Sequence, residues 1–493
     1  MTSAFEPRNL AEAVAMRLVS RADELYLAGN WAAALALYRR TIDSQPDIAR
    51  QLALALPAGH CDIELAGAEA LTAPRPAYGP VAGVPREAAF ARDLRVRALG
   101  YCRAGDVVRA SALLRFIAPV DAPTGFAYAD DRLSRRSDCG RFLDTPADGP
   151  PAFFTDHAID RLPVDTLKAR HEGKRVLVVR RFGVARRRYG AFENLAEAAV
   201  RFGLTIHEIT NTPLPGPATD NYVAALAKTI DDVQPQVILW DELFHLGVSA
   251  EPGHRDAIAE LLEAMRRTRG IRVVNFHPDV YYVPIPTLFG GLGRCFDLIS
   301  HMHPAILDRG TEAEKAAVFC CPIPALIESP TVAAGTVPRA AFAGAIHTFS
   351  WPRVVWWAEC VRAGLPLDFI ETVHDSPQQL SDVDYFNVMR RYQLSVNFNL
   401  RDGGARIFTG RAVDVGLAGG VLLDERSADL PYFLTPGLHY VPFETLPDLA
   451  AAIDVMLADA PRRQRMAAAA QAWCERYFTG DYYWSGVLSK LFP

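Results

Sequence analysis

Several things are scarce in this 493-residue chain, and each scarcity removes a class of protein. No uninterrupted apolar run is as long as a spanning helix requires, so no ordinary transmembrane segment is expected. Residues 1–14 lack a basic start leading into an apolar core, so no secretory signal is expected there. The eight cysteines include no Cys-x-x-Cys pair, which argues against a disulfide framework or a paired-cysteine zinc site and for a reducing, cytoplasmic setting. An excess of one charge sign is also missing: 52 basic residues face 57 acidic ones, a net −5, so nucleic acid is not an expected partner. Only five of the basic residues are lysines (168, 174, 228, 315 and 490), a compositional habit without functional content. No Gly-x-Gly-x-x-Gly follows a first strand, which weakens the dinucleotide-dehydrogenase reading, and no Gly-Lys-Ser/Thr phosphate loop is present.

At 50% hydrophobic and 22% charged, the chain is globular and long enough for about three domains. Residues 1–118 carry helical periodicity. Ala22, Leu25, Gly29, Trp31, Ala34, Tyr38 and Pro46 place small residues where two antiparallel helices approach, glycine at the turn and aromatics in the seam. Ala98, Tyr101, Gly105, Ala110, Leu114 and Ile117 form a second copy. The pattern resembles tetratricopeptide repeats, whose stacked helix pairs hold peptides or partner proteins; a generic helical bundle is the alternative. Residues 119–172 are proline-rich and read as an irregular linker.

From Lys174 the pattern switches to short apolar runs alternating with amphipathic segments, at a spacing that predicts a doubly wound parallel sheet over 173–335. Its strands are expected at 175–179, 205–209, 237–240, 271–276 and 298–300. A second alternation over 336–480 places strands at 341–346, 367–370, 394–398, 420–423 and 439–442. Two such sheets leave a cleft between them. Residues 481–493 are expected to return as a tail towards the first sheet.

Polar clusters just past strand ends sit where open parallel sheets bind ligands. In the first sheet these are His277 and Asp279, with Asp279 as base or orienter, and Trp240-Asp241-Glu242 at an equivalent end. An Asx-type turn around Pro278 is the plain alternative. The loop from Arg180 to Gly190 carries five arginines, suited to a diphosphate or an anionic acceptor, or else to a solvated surface. His301 and His303 lack a third ligand nearby and read as a structural pair.

Four stretches occur in order: Tyr385 to Leu400 (YFNVMRRYQLSVNFNL), Gly410 to Glu425 (GRAVDVGLAGGVLLDE), Pro436-Gly437, and Pro442 to Leu449 (PFETLPDL). Together they resemble the C-terminal half of GT-B glycosyltransferases, with the spore-maturation, CgeB-like branch nearest. The resemblance implies an α/β chain with two Rossmann-like sheets facing a cleft, behind an all-α repeat domain. It implies transfer of a sugar from a nucleotide sugar without a catalytic metal or other cofactor. The turn Thr409-Gly410-Arg411 would lead into a helix facing the donor diphosphate, with free N–H groups and Arg411 as anion partners. Asp414 would accept from the ribose hydroxyls; an aspartate in a first turn is also a routine helix-dipole residue. Retaining relatives often carry a glutamate eight positions before that acid, where this chain has Arg406, a donor-phosphate contact if the register holds. A protein acceptor held by the helical repeats, such as a bacterial surface or flagellar subunit, is the expected partner. A polysaccharide or lipid-linked acceptor, and an inert GT-B remnant serving as a scaffold, are the alternatives.

Overall fold

The structure, a computed structural model, describes residues 98–117, 137–143, 163–180, 190–210, 219–241, 252–277, 295–304, 315–322, 332–346, 352–372, 380–400 and 406–493, with a few single positions besides. The first repeat copy, from Ala22 to Pro46, lies outside these residues.

In chain order the elements are α1 (Val107–Ile117), a 3₁₀ turn (Asp138–Leu143), α2 (Val164–His171), β1 (Arg175–Arg180), α3 (Gly190–Phe202), β2 (Thr205–Thr210), α4 (Thr219–Val233), β3 (Val237–Asp241), α5 (Pro252–Arg269), β4 (Arg272–His277), β5 (Leu298–His301) and β6 (Val318–Cys320). There follow β7 (Val337–Gly344), α6 (Pro352–Arg362), β8 (Leu367–Glu371), α7 (Asp382–Arg391), β9 (Tyr392–Asn397), α8 (Arg411–Leu417), β10 (Leu422–Glu425), α9 (Leu430–Phe433), β11 (Tyr440–Phe443), α10 (Leu446–Ala458), α11 (Ala460–Tyr477) and α12 (Gly480–Leu491).

The strands form two sheets, ordered β2-β1-β3-β4-β5-β6 and β11-β10-β9-β7-β8. The pairings among the described strands are all parallel, so the expectation of two wound α/β sheets holds. Helices cover both faces of such sheets, which is why the strands read as near-continuous apolar runs; Val176 to Val179 are buried without alternation. Strand β6 was not expected from the sequence, because three residues show no period.

The proline-rich stretch 119–172 is not irregular throughout. It contains the 3₁₀ turn and α2, an eight-residue, mostly polar helix with too little apolar periodicity to be read. The 3₁₀ turn is tied to the second sheet through Ser137, whose hydroxyl donates to Asp448 Oδ2 at 2.6 Å. Asp448 also closes the capping box of α10 with Thr445.

Helix α1 belongs to the second core. Ala110, Leu113 and Leu114 are buried in one cluster with Val354, Val355 and Ala358 of α6 and Phe342 of β7. Polar pairing fixes the same contact: the buried Glu359 of α6 accepts from Ser111 and, at 3.0 Å, from Arg115. Burial alone would raise the Glu359 pKa, but the bonds from Ser111, Arg362 and Arg115 outweigh it and hold the carboxyl below its usual range. The second repeat copy, residues 98–117, is therefore seated on the second core.

The last helix crosses the other way. In α12, Trp484 donates its indole N–H to the Leu195 carbonyl at 3.0 Å, and Tyr483 donates to Ser300 at 2.7 Å. Gly486 packs so closely on Phe319 that a Cβ there would collide with the ring. The C-terminus thus closes over the first sheet.

Candidate functional site at the carboxyl ends of the second sheet

Strand β7 lies between β8 and β9, so the chain leaves it in one direction along the sheet and later returns on its other side. Outside the carboxyl ends of such a pair a crevice opens, and open parallel sheets bind ligands there. Here the ends of β9 and β10 carry polar residues that are buried, with aromatic side chains close by. Phe342, Phe398, Trp356 and Phe369 stack beneath them with centroids 5.3 to 5.9 Å apart.

Arg411 begins α8 and turns inward. Its guanidinium donates to Asn397 Oδ1 and, at 3.2 Å, to the Tyr385 hydroxyl, and lies 4.9 Å above the Phe342 ring. Gly344, the last residue of β7, makes the room: a Cβ there would collide with Arg411 Nη2. Asn397 in turn donates through Nδ2 to Asp424 Oδ1 at 2.7 Å, Asn399 Oδ1 at 2.8 Å and Thr409 Oγ1 at 3.0 Å. Asn399 gives its amide to Asp424 Oδ2 at 2.6 Å, and Glu425 Oε2 accepts the backbone N–H groups of Asn399 and Leu400 at 2.7 and 2.9 Å. On the other side Arg353 of α6 donates to the carbonyls of Ala345 and Phe398, tying the ends of β7 and β9 together.

The electrostatics follow from this enclosure. Desolvation pushes the Asp424 carboxyl up to about 7 against the two asparagine bonds that pull it down; the neighbouring Glu425 adds to the rise and Arg411 opposes it. Desolvation also raises the Tyr385 phenol, with Arg411 as the main opposing charge.

Of the sequence-nominated donor residues, Thr409, Gly410, Arg411 and Asp414 stand together at the start of α8. Asp414 is half-buried, one turn in. The turn is tighter than the resemblance implied: the N–H groups of Ala412 and Val413 bond back to the Thr409 and Gly410 carbonyls at 3.1 and 2.9 Å. The N–H supply for an anion is correspondingly smaller, and the seven-residue α8 has a modest dipole. Charge at this corner therefore rests on the Arg411 side chain. Arg406 points elsewhere, pairing with Glu444 at 3.4 Å, and Glu444 also meets Arg426. His277 is the last residue of β4, paired in register with His301 of β5; Asp279 lies outside the described residues.

Asn397, Asn399, Asp424, Glu425, Tyr385 and Arg353 were not singled out from the sequence. The first five fall inside the quoted stretches, and polar pairs ending apolar strands (Asn397-Phe398-Asn399, Asp424-Glu425) were the readable signal. His303, read as structural, joins the two halves: its Nδ1 lies 2.9 Å from Asp429 Oδ2, both side chains buried. Among the described residues one set of three potential metal ligands converges, Asp138, Cys139 and Glu444, and Arg426 already pairs with both its acids.

Three solved structures share the general likeness. The Anabaena protein HepE, solved with UDP-glucose, is 12% identical, with 64% of this chain and 99% of that chain covered at a TM-score of 0.43. An alpha-glucosyltransferase solved with UDP-glucose and DNA containing an abasic site is 9% identical, with 65% and 99% covered at 0.45. Sucrose-phosphate synthase of Thermosynechococcus elongatus is 11% identical, with 64% and 97% covered at 0.42. No curated protein matches the chain. Residues 333–487, which include the whole Arg411–Asp424 cluster, match the family model described as glycosyl transferase-like, and this part of the chain is a glycosyltransferase domain.

Proposed function

We propose that the protein transfers a sugar from a nucleotide-sugar donor to an acceptor hydroxyl in a GT-B arrangement of the CgeB-like branch. The observation that carries this reading is the Arg411-centred polar cluster at the β7–β9 crevice, inside the segment that matches the glycosyltransferase family. The donor diphosphate would lie against Arg411 and the Thr409-Gly410 turn, with the ribose hydroxyls on Asp414. In the reaction the bond from the anomeric carbon to the diphosphate breaks and one to the acceptor oxygen forms. The acceptor proton passes to a base on the first-sheet side, for which His277 at the end of β4 and Asp279 just beyond it are the candidates. The diphosphate leaves with its charge met by the Arg411 guanidinium, so no catalytic metal is required.

The acceptor in this reading is a protein, modified in the cytoplasm. Its support is the helical-repeat spacing of residues 22–46, since 98–117 are occupied by the second core. The test is a binding and hydrolysis panel on the full chain with UDP-, GDP-, ADP- and dTDP-sugars, with and without EDTA. Binding of one donor that survives EDTA and is lost in Arg411→Ala is the expected result. A folded protein that binds and hydrolyses none of them is the scaffold of the alternative reading.

A further inference from the structure

Arg411 and Asp424 are joined through a single amide. A guanidinium only donates and an ionised carboxylate only accepts, so the Asn397 side chain has one possible orientation, carbonyl to Arg411 and amide to Asp424. The amide dipole is thereby aligned between a cation and an anion, and each end strengthens the other. Asp424 is 1% exposed and sits with both oxygens bonded to amides. The charged and titratable groups facing it are Glu425 beside it on β10, Arg411 from α8 and Tyr440 from β11. Arg411 is the cation in that set, and Tyr385, which accepts from it, also faces Asp414 and Arg353.

We propose that Asn397 and Asp424 are positioning residues for Arg411, and that Asp424 takes up a proton when Arg411 turns from Asn397 to the donor diphosphate. The inference rests on the donor-site reading above. Atoms balance simply: the guanidinium keeps its protons and exchanges the Asn397 oxygen for a phosphate oxygen, while one proton passes from solvent to a carboxylate oxygen of Asp424. The reason is desolvation. Once the diphosphate claims Arg411, Asp424 is a buried carboxylate facing Glu425 without its cation, and such a group neutralises. Its free-state value of about 7 means that a small further rise protonates it at neutral pH.

The sign of the pH effect follows from linkage. The bound state holds more protons, so donor affinity rises as pH falls through the bound-state and then the free-state midpoint, and levels off below the latter. A rise of one unit on binding corresponds to about tenfold in affinity.

Two measurements on the full chain test this. In the first, without nucleotide, arginine side-chain ¹⁵N–¹H spectra are followed from pH 6 to 9, with the Arg411 signal assigned by its loss in Arg411→Lys. That signal should titrate with a midpoint near 7 in the wild type and stay constant in Asp424→Asn. Asn397→Ala, which removes the bridge and leaves the carboxylate, should weaken the titration and serves if Asp424→Asn does not fold. An Arg411 signal independent of pH in the wild type overturns the proposal whatever the protein binds.

In the second, UDP-glucose, GDP-mannose, ADP-glucose and dTDP-glucose, whose diphosphate diesters do not titrate near neutrality, are titrated calorimetrically in buffers of different ionisation heat. Proton uptake with about sixfold tighter binding at pH 6.5 than at 8.5, flattened in Asp424→Asn, supports the proposal. Binding without proton uptake overturns it. If the Arg411 signal titrates but none of the four donors binds, the coupling stands and the donor-site reading is what fails.

Discussion

Replacing Gly344 by alanine tests the architecture of the crevice with one methyl group. Gly344 has no positive φ, so alanine suits its backbone and only space is at issue. The backbone is pinned, since Gly344 pairs in register with Glu371 of β8 and its carbonyl accepts from the Thr372 N–H at 3.1 Å. The methyl would collide with Arg411 Nη2, so the guanidinium must leave. It gives up its bonds to Asn397 and Tyr385 and its place over Phe342. A hydrogen bond to a charged group contributes about 1.5–3 kcal/mol and a cation–π contact about 0.5–1, so losing two such bonds and the contact is bounded at about 3.5–7 kcal/mol before the solvation that a displaced guanidinium recovers. Donor affinity should fall roughly 10- to 100-fold if Arg411 faces the diphosphate, an equivalent of about 1.4–2.8 kcal/mol. Urea unfolding and calorimetric titration of the donor read the two quantities separately. The double variant Gly344→Ala/Arg411→Ala is the decisive control: with no guanidinium to meet, the methyl is left with a tight contact to the Phe342 ring, so adding it to Arg411→Ala should cost much less than Gly344→Ala costs the wild type. Strictly additive losses, or a Gly344→Ala protein with wild-type stability and affinity, would refute the reasoning.

Three further outcomes are expected. Asp414→Ala should weaken donor binding by about 1–3 kcal/mol while the melting transition persists, and unfolding with unchanged affinity in the native fraction would make Asp414 a structural residue instead. A chain starting at residue 125 lacks α1 and uncovers Val354, Val355 and Ala358, so it should aggregate or melt well below one starting at residue 90, as light scattering and calorimetry would show; equal stability of the two would contradict the docking of α1. His439 is held neutral by burial, with its pKa lowered to about 4, and its Nδ1 accepts from the Thr435 N–H at 3.0 Å. The stability it lends is present above the ordinary histidine pKa and lost as pH falls from about 6.5 to 4, up to about 3 kcal/mol, and His439→Gln should flatten urea stability across that interval.

What the sequence by itself determined was local. The apolar runs at 175–179 and 237–240 are strands because buried parallel strands leave no polar face to interrupt them, and the switch from helical to strand period at Lys174 marks where the first sheet begins. The Gly410–Glu425 stretch marked the corner that holds Arg411 for the same reason: a strand, a small-residue turn and a short helix are specified by neighbours in sequence. Tertiary structure alone decided the partners. Nothing in the residues flanking Arg411 says that Tyr385 and Gly344 will receive its guanidinium, or that Asp424 will answer it through Asn397. Nor does the helical spacing of 98–117 reveal that Ser111 and Arg115 reach a carboxylate at Glu359. A helix with one apolar stripe is satisfied equally by a neighbouring repeat or by the face of a sheet domain. The choice between them, like the protonation of Asp424, is made by which groups burial forces together across long stretches of chain.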